Sequence, residues 1–194
     1  LRGKDITKIK LKAIENCNKA GVGVVLVPTV APGINENSVA KILKFAAEWM
    51  PTVRGVHFQP VSYFGRYHRS PEDSLRLTLP ELIEKIVEGM DGLVKGNDFN
   101  HANSEHPLCS FHGDFIVEKG NWIPIESSSG CCCVSSDQTR ESVSRKWSAY
   151  GELDIDSCNC TIKTPSLDSF LMNKNNKAKK NLAISAMAFQ DVFN

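Results

Sequence analysis

Apolar residues at Ile6, Ile9, Ala13, Ile14, Cys17 and Ala20 keep helical spacing, with Asp5 ahead as a cap and Gly21 behind as a stop. Cys17 sits on that stripe and reads as a core thiol. Val22 to Val27 is a nearly unbroken apolar, β-branched run, the pattern of a strand covered on both faces. The stretch TVAPGIN from Thr29 to Asn35 is a loop: Pro28 and Pro32 remove amide donors, and Gly33 permits a backbone angle costly for other residues. A second helix runs from about Asn37 to Trp49, burying Val39, Ile42, Leu43, Ala46 and Trp49, and Pro51 ends it. Val53 to Val61 is the next strand, which completes a βαβ unit with a right-handed crossover. Thr78-Leu79-Pro80-Glu81 is a capping box that opens a helix burying Leu82, Ile83, Ile86, Val87 and Met90. Three amphipathic helices and two buried strands predict an α/β fold, either part of a (β/α) barrel or an open sheet.

After Gly92 the pattern changes. Phe115 to Val117 and Trp122 to Ile125 predict a hairpin turning through Lys119-Gly120-Asn121. Residues 126–181 are rich in Ser, Asn and Lys without convincing periodicity, and Ala183 to Phe193 is a final apolar element of either type. The chain divides into an α/β region over 1–98 and a cysteine-rich extension over 99–194.

Composition adds bounds. The 194 residues are 41% hydrophobic, enough for a true core, and their net charge of +1 provides no general attraction for nucleic acid. The basic run Lys174, Lys177, Lys179 and Lys180 is too local to alter that. No apolar stretch reaches the 18 or more residues of a membrane span, and no apolar leader opens the chain, so the expected setting is cytoplasmic. Seven cysteines, six of them beyond residue 108, point to metal or redox use rather than a disulfide scaffold. The start at Leu1 and the apolar close at 190–194 read as an internal piece of a longer protein.

In parallel α/β folds, functional groups gather beyond the carboxyl ends of strands. Here those places are Pro28 to Asn35 and Gln59 to Tyr67. The second offers the Gln59 amide, the Ser62 hydroxyl, the Tyr63 and Tyr67 rings and the Arg66 guanidinium, with Gly65 turning the chain among them. The plainer reading is a loop packed over the rim, with Asn35 merely capping the second helix. The Gly33 loop lacks the spacing of a phosphate loop or a dinucleotide fingerprint. His57 alternates against Val56 and Phe58, so it faces a barrel interior or packs under a helix.

Cys109 stands among His101, His106 and His112, a mixture suited to zinc or iron ligation or to an activated thiol. Cys131, Cys132 and Cys133 diverge along a regular strand, but a loop after Gly130 can turn one or two inward. Cys158 and Cys160 share one face of an extended segment. Together these supply ligands for a four-cysteine cluster, and zinc is equally allowed. A metal-stabilised module without catalysis is the alternative, and a thiol hydrolase built on Cys109 and His112 lacks an assignable oxyanion site.

The stretches LRGKD (1–5), VLVPTVAPGIN (25–35), GVHFQPVSYFGRY (55–67), TLPEL (78–82), EHPLCSFHG (105–113) and SAMAFQDVFN (185–194) together resemble the radical S-adenosylmethionine superfamily. Within it, they are most similar to the subgroup related to archaeal tetraether lipid synthase and its bacterial relatives. The resemblance is strong over 1–125 and at the end, and loose over 126–181. It implies the last part of a partial (β/α)6 barrel followed by a cysteine-rich extension. It also implies S-adenosylmethionine and a [4Fe-4S] cluster as cofactors, with the cluster held by a CxxxCxxC loop that this sequence does not contain. The activity so implied is reductive cleavage of S-adenosylmethionine to a 5'-deoxyadenosyl radical for hydrogen abstraction, extending to carbon–carbon bond formation in lipids or hydrocarbons. An electron donor such as ferredoxin or flavodoxin and a small-molecule or lipid substrate are the partners. On this reading the segment alone is inactive.

By position, Thr29, Asn35, Gln59 and Ser62 are candidates for S-adenosylmethionine, and Tyr63, Arg66 and Tyr67 for the substrate side. Cys109, Cys131, Cys132, Cys133, Cys158 and Cys160 are candidates for an auxiliary [4Fe-4S] cluster. Ser104 stands where relatives carry a further cysteine, which leaves that ligand set short or differently composed.

Overall fold

A computed structural model describes residues 4–64, 71–101, 108–125 and 181–189. Helix α1 spans Thr7–Ala20; Asp5 Oδ1 accepts the Thr7 N–H at 2.8 Å, and Gly21 closes the helix in the left-handed conformation. Strand β1 follows at Val24–Leu26, a short strand β2 at Thr29–Val30, helix α2 at Val39–Glu48 and strand β3 at Val53–Pro60. Helix α3 is Leu79–Gly89, strands β4 and β5 are Ser110–Glu118 and Asn121–Pro124, and strand β6 is Asn181–Met187.

The strands form one mixed, open sheet in the order β1-β3-β6-β4-β5, with β2 also pairing β3. β1, β2 and β6 run parallel to β3, whereas β4 runs antiparallel to β6 and β5. The α/β class therefore holds, and β1-α2-β3 is the expected βαβ unit. The strands beyond residue 98 complete the same sheet, so the division placed at 98/99 crosses continuous hydrogen bonding between β3 and β6. The antiparallel β4 and β5 depart from a pure (β/α) alternation.

Two local features agree closely with their sequence signals. At α3, the Thr78 N–H donates to Glu81 Oε2 at 2.7 Å and the Glu81 N–H donates to Thr78 Oγ1 at 3.4 Å, the reciprocal capping box. These bonds, first that from the Thr78 backbone and then that from its hydroxyl, hold the Glu81 carboxyl below its ordinary range. The β4–β5 hairpin turns on Lys119 and Gly120, both with positive φ (50° and 86°), as a two-residue connection of this hand requires.

Other expectations need correction. Thr29 begins the short strand β2 rather than a loop, because the carbonyls of Pro28 and Val30 still accept from Gln59 and Val61. The stripe of α1 is shallow: Ile14 is buried, Ile9 is 69% exposed, and Cys17 is half-buried rather than a core thiol. Periodicity identifies the apolar side of a helix but not how much structure covers it. The apolar element after residue 182 is a strand, β6, and it lies at the centre of the sheet.

One face of the sheet is packed by the helices. Val56 and Phe58 from β3, Leu182, Ile184 and Ala186 from β6, and Phe111, Phe115 and Val117 from β4 form a single apolar cluster with Ile14, Leu43, Ala46, Leu82, Ile86 and Met90. Phe58, Phe115, Leu182 and Ile184 are fully buried, each worth about 1.5–3 kcal/mol of apolar transfer. Phe99 stacks edge-on against Phe111 and Phe115, with ring centroids 5.1 and 5.9 Å away. Gly113 makes room for this: a Cβ there would lie 2.9 Å from the Asp98 carbonyl and 3.0 Å from the Phe99 ring. The helices themselves meet closely, since a Cβ on Gly89 of α3 would fall 2.6 Å from Ala40 Cβ of α2. Near the start of β3, Arg54 is 8% exposed; burial lowers its pKa from the ordinary guanidinium value, and its Nη1 has no hydrogen-bond partner among the described residues.

Candidate functional site

Strand alternation turns the intervening residues to the other side of the sheet, away from the helix-packed cluster. From β3 these are Val53, Gly55, His57 and Gln59; from β6, Asn181, Ala183, Ser185 and Met187; from β4, Ser110, His112, Asp114 and Ile116, of which Val53, Asn181 and Ser110 are buried and Val53 still packs in the apolar cluster. His57, Gln59, Ser185, His112 and Asp114 are all half-buried. The pairing places them in rows. His57 and His112 are both partnered with Ser185, one from each side, and Gly55 and Asp114 are both partnered with Ala183. Thr29 stands beside Gln59 at the carboxyl end.

His57 Nδ1 lies 2.9 Å from Ser185 Oγ, a bond between groups 128 residues apart in sequence. The sequence placed His57 on the inner side or under a helix; the structure puts it on the side opposite the helix-packed cluster. Ser185 escaped the sequence reading. Its signal was the period-2 alternation of Leu182, Ile184 and Ala186 against Ala183, Ser185 and Met187, which marks it as facing away from the core.

The rim residues divide by role. Asn35 Oδ1 accepts the Ala31 N–H at 2.8 Å, and Asn35 Nδ2 donates to the Thr29 carbonyl at 2.8 Å. Its amide thus ties the loop after β2 to itself, with no side-chain bond capping the turn that leads into α2. Gly33 takes φ 70° in this loop, and its N–H donates to Glu36 Oε1 at 3.0 Å. Ser62 Oγ donates to the Phe189 carbonyl at 3.0 Å, joining the chain beyond β3 to the chain beyond β6. Tyr63 Oη donates to the Leu75 carbonyl at 2.9 Å. Thr29 and Gln59 are brought together on neighbouring strands, whereas Asn35, Ser62 and Tyr63 use the bonds just named to shape the rim. Arg66 and Tyr67 lie outside the described residues.

Cys109 is half-buried at the entry to β4, where its carbonyl accepts the Ala188 N–H at 2.9 Å. The segment expected to be a polar ligand cluster becomes strand from Ser110 onward. Cys131, Cys132, Cys133, Cys158, Cys160, Ser104 and His106 lie outside the described residues. Among the described residues no group of three or more His, Cys, Asp or Glu side chains is placed to hold a metal ion. The described part of the chain therefore does not by itself fit an iron–sulfur cluster.

A cleft of about 350 Å³ opens elsewhere, between α3 and the turn leading into α2, lined by Pro32, Glu36, Arg76, Glu81 and Lys85 among others. Its two cations are each paired with a carboxylate, Lys85 with Glu36 and Arg76 with Asp73, both at 3.6 Å, and the residues of the His57 row are not among its lining. Among the described residues no helix is long and apolar enough to cross a membrane.

No protein-family model matches the chain. It is similar to the 7,8-dihydro-6-hydroxymethylpterin dimethyltransferase of Methanocaldococcus jannaschii, at 44% identity over 146 residues. That similarity takes in 64% of this chain, and the chain spans 29% of the relative's length.

Proposed function

We propose that the chain is part of a radical S-adenosylmethionine enzyme that transfers methyl groups to a small molecule. The strongest support is the 44% identity to an archaeal dimethyltransferase, which points the same way as the motif resemblance. The parallel strands β1, β2, β3 and β6 are those of the partial (β/α)6 barrel in this reading, with the helices outside and the His57 row on the inner wall.

S-adenosylmethionine, when bound, provides methyl groups and, with a reduced iron–sulfur cluster, a radical able to take hydrogen from an unreactive carbon. The chain's own residues hold and orient. Gln59 and Thr29, adjacent at the carboxyl end of β3 and β2, are the polar pair for S-adenosylmethionine. Asn35, by stitching its loop, keeps Thr29 in place, and the Ser62–Phe189 bond fixes the exit of β3 against that of β6. The cysteines beyond residue 125 are the reserve from which an auxiliary cluster draws ligands. Cys109 is the ligand candidate within the described residues. A methyl acceptor fits the relative better than the joining of hydrocarbon chains that the lipid-synthase resemblance alone implied.

The test uses the full-length protein carrying this chain, purified and reconstituted without oxygen. Methyl label from S-adenosylmethionine is expected in a small-molecule product. Gln59→Ala should weaken S-adenosylmethionine binding about tenfold by equilibrium dialysis. A wild-type protein that neither binds S-adenosylmethionine nor consumes it would overturn the reading.

A further inference from the structure

The tip of the loop after β2 is held by hydrogen bonds rather than by packing. Ile34 is 67% exposed there, and a Cβ on Gly33 would find no atom within 4 Å beyond its chain neighbours. With so little buried at the tip, its polar contacts decide its shape. From one side, the Asn35 amide ties Thr29 to Ala31. From the other, Glu36 Oε1 accepts the Gly33 N–H at 3.0 Å while Glu36 Oε2 lies 3.6 Å from Lys85 Nζ on α3. One carboxylate thus grips the turn with one oxygen and a helix with the other.

The cleft of about 350 Å³ gives that second grip its importance. Pro32 and Glu36 line it from the loop, and Glu81, Glu84, Lys85 and Glu88 line it from α3. The Lys85–Glu36 pair spans this gap and acts as a strut between loop and helix. Its neighbours are engaged elsewhere: Glu81 Oε2 accepts from the Thr78 N–H and hydroxyl at 2.7 and 2.8 Å, and Arg76 is paired with Asp73. α3 is a firm anchor, because the capping box fixes its first turn and Leu82 and Ile86 are fully buried. The two side chains of the strut are 30% and 21% exposed, so the pair is partly shielded and still within reach of salt.

We infer that Glu36 is a positioning residue: braced by Lys85, it sets the Gly33 turn and, through Asn35 beside it, the place of Thr29 on the rim. The assignment rests on the reading of Thr29 and Gln59 as the polar pair for S-adenosylmethionine. It puts a determinant of that affinity on α3, a helix that contributes no residue to the pair.

The experiment compares the full-length protein, reconstituted without oxygen, with its Glu36→Ala, Glu36→Gln and Lys85→Met variants. Two quantities are read: the S-adenosylmethionine dissociation constant by equilibrium dialysis, and amide hydrogen exchange of segment 29–36 by mass spectrometry. Glu36→Ala should weaken binding about tenfold. Lys85→Met and Glu36→Gln should weaken it about threefold each, since glutamine keeps an oxygen for the Gly33 N–H but loses the charge. The double variant Glu36→Ala/Lys85→Met should lie within about twofold of Glu36→Ala, because both act through one strut. Exchange in 29–36 should quicken in the same order, while α3 and β3 exchange as in wild type. Raising salt from about 0.05 to 0.5 M should weaken binding more in wild type than in Glu36→Gln, a signature that a merely structural role would not give. A wild type that binds S-adenosylmethionine, with variants that bind it equally well, overturns the assignment and leaves the methyl-transfer reading standing. Exchange quickened throughout α3 and β3 overturns it too, as a general loosening. A wild type that does not bind S-adenosylmethionine overturns the methyl-transfer reading, and faster exchange confined to 29–36 in the variants then still supports the strut.

Discussion

The two faces of the sheet are made by the same strands and obey opposite rules. On one, Val56, Phe58, Ile184 and Phe115 are apolar and closely packed against α2 and α3. On the other, each next to one of these in sequence, stand His57, Ser185, Asp114 and Gln59, half-buried and polar. The first face is bound by volume and the second by hydrogen-bond geometry. The difference teaches where stability and recognition reside: substitutions on the packed face should unfold the chain, and substitutions on the polar face should leave it folded but change what it holds.

The sharpest way to break this division is Phe58→Ala, which deletes a fully buried ring from the packed face and should cost about 3–5 kcal/mol in denaturant unfolding. A cost near zero would mean that this face does not support the fold. Gly89→Leu comes next, since even a Cβ at that position meets Ala40 Cβ at 2.6 Å; forcing α3 from α2 should cost about 1–3 kcal/mol, measured in the same way.

Smaller effects are expected at the edge of the packed face. Thr78→Ala removes the hydroxyl that receives the Glu81 N–H and should cost about 1 kcal/mol. The partner carboxylate gives this a pH signature. Because the folded state lowers the Glu81 pKa, its contribution is complete above the ordinary value of 4.5 and fades as pH falls through the lowered one. Wild type should therefore exceed Glu81→Gln in stability at neutral pH, with the gap closing in acid; a gap that widened would reverse the assigned sign. The smallest change in stability belongs to the polar face. Ser185→Ala should shift unfolding by no more than about 1 kcal/mol, the net worth of a half-exposed hydrogen bond, so a loss of several kcal/mol would assign that face to the core.

What the sequence made legible was local. The α3 capping box lies within four residues and the β4 turn within two, so their chemistry is written side by side. The core of α2 and α3 was readable because both helices present a full apolar stripe to a sheet that covers it. The exposure of Ile9 was not, since the same stripe on α1 meets little of the described structure. The short β2 was hidden by prolines on either side, which argue against a strand until the partner carbonyls and amides of β3 are known. The row on the polar face depends on β6 joining β3, a pairing across 128 residues, and no short-range signal in LAISAM specifies its neighbour. For the same reason, Asn35 and Ser62 read as ligand groups when taken alone; only the positions of Thr29 and Phe189 reveal them as braces.

The central place of β6 also sets an order of events. The strand that bridges β3 to β4 is the last of the described strands to be made, so until it arrives β3 and β4 each lack the partner that joins them. Inserting residues between β5 and β6 adds little to the equilibrium cost, about 0.6 kcal/mol for each doubling of loop length. The search itself is slow, because long-range strand pairing governs folding rates. A chain stopped before Asn181 would thus retain the α1-to-β3 unit and the β4–β5 hairpin as two pieces with sticky edges. Chains of this kind stand to gain most from a chaperone that shields strand edges during synthesis.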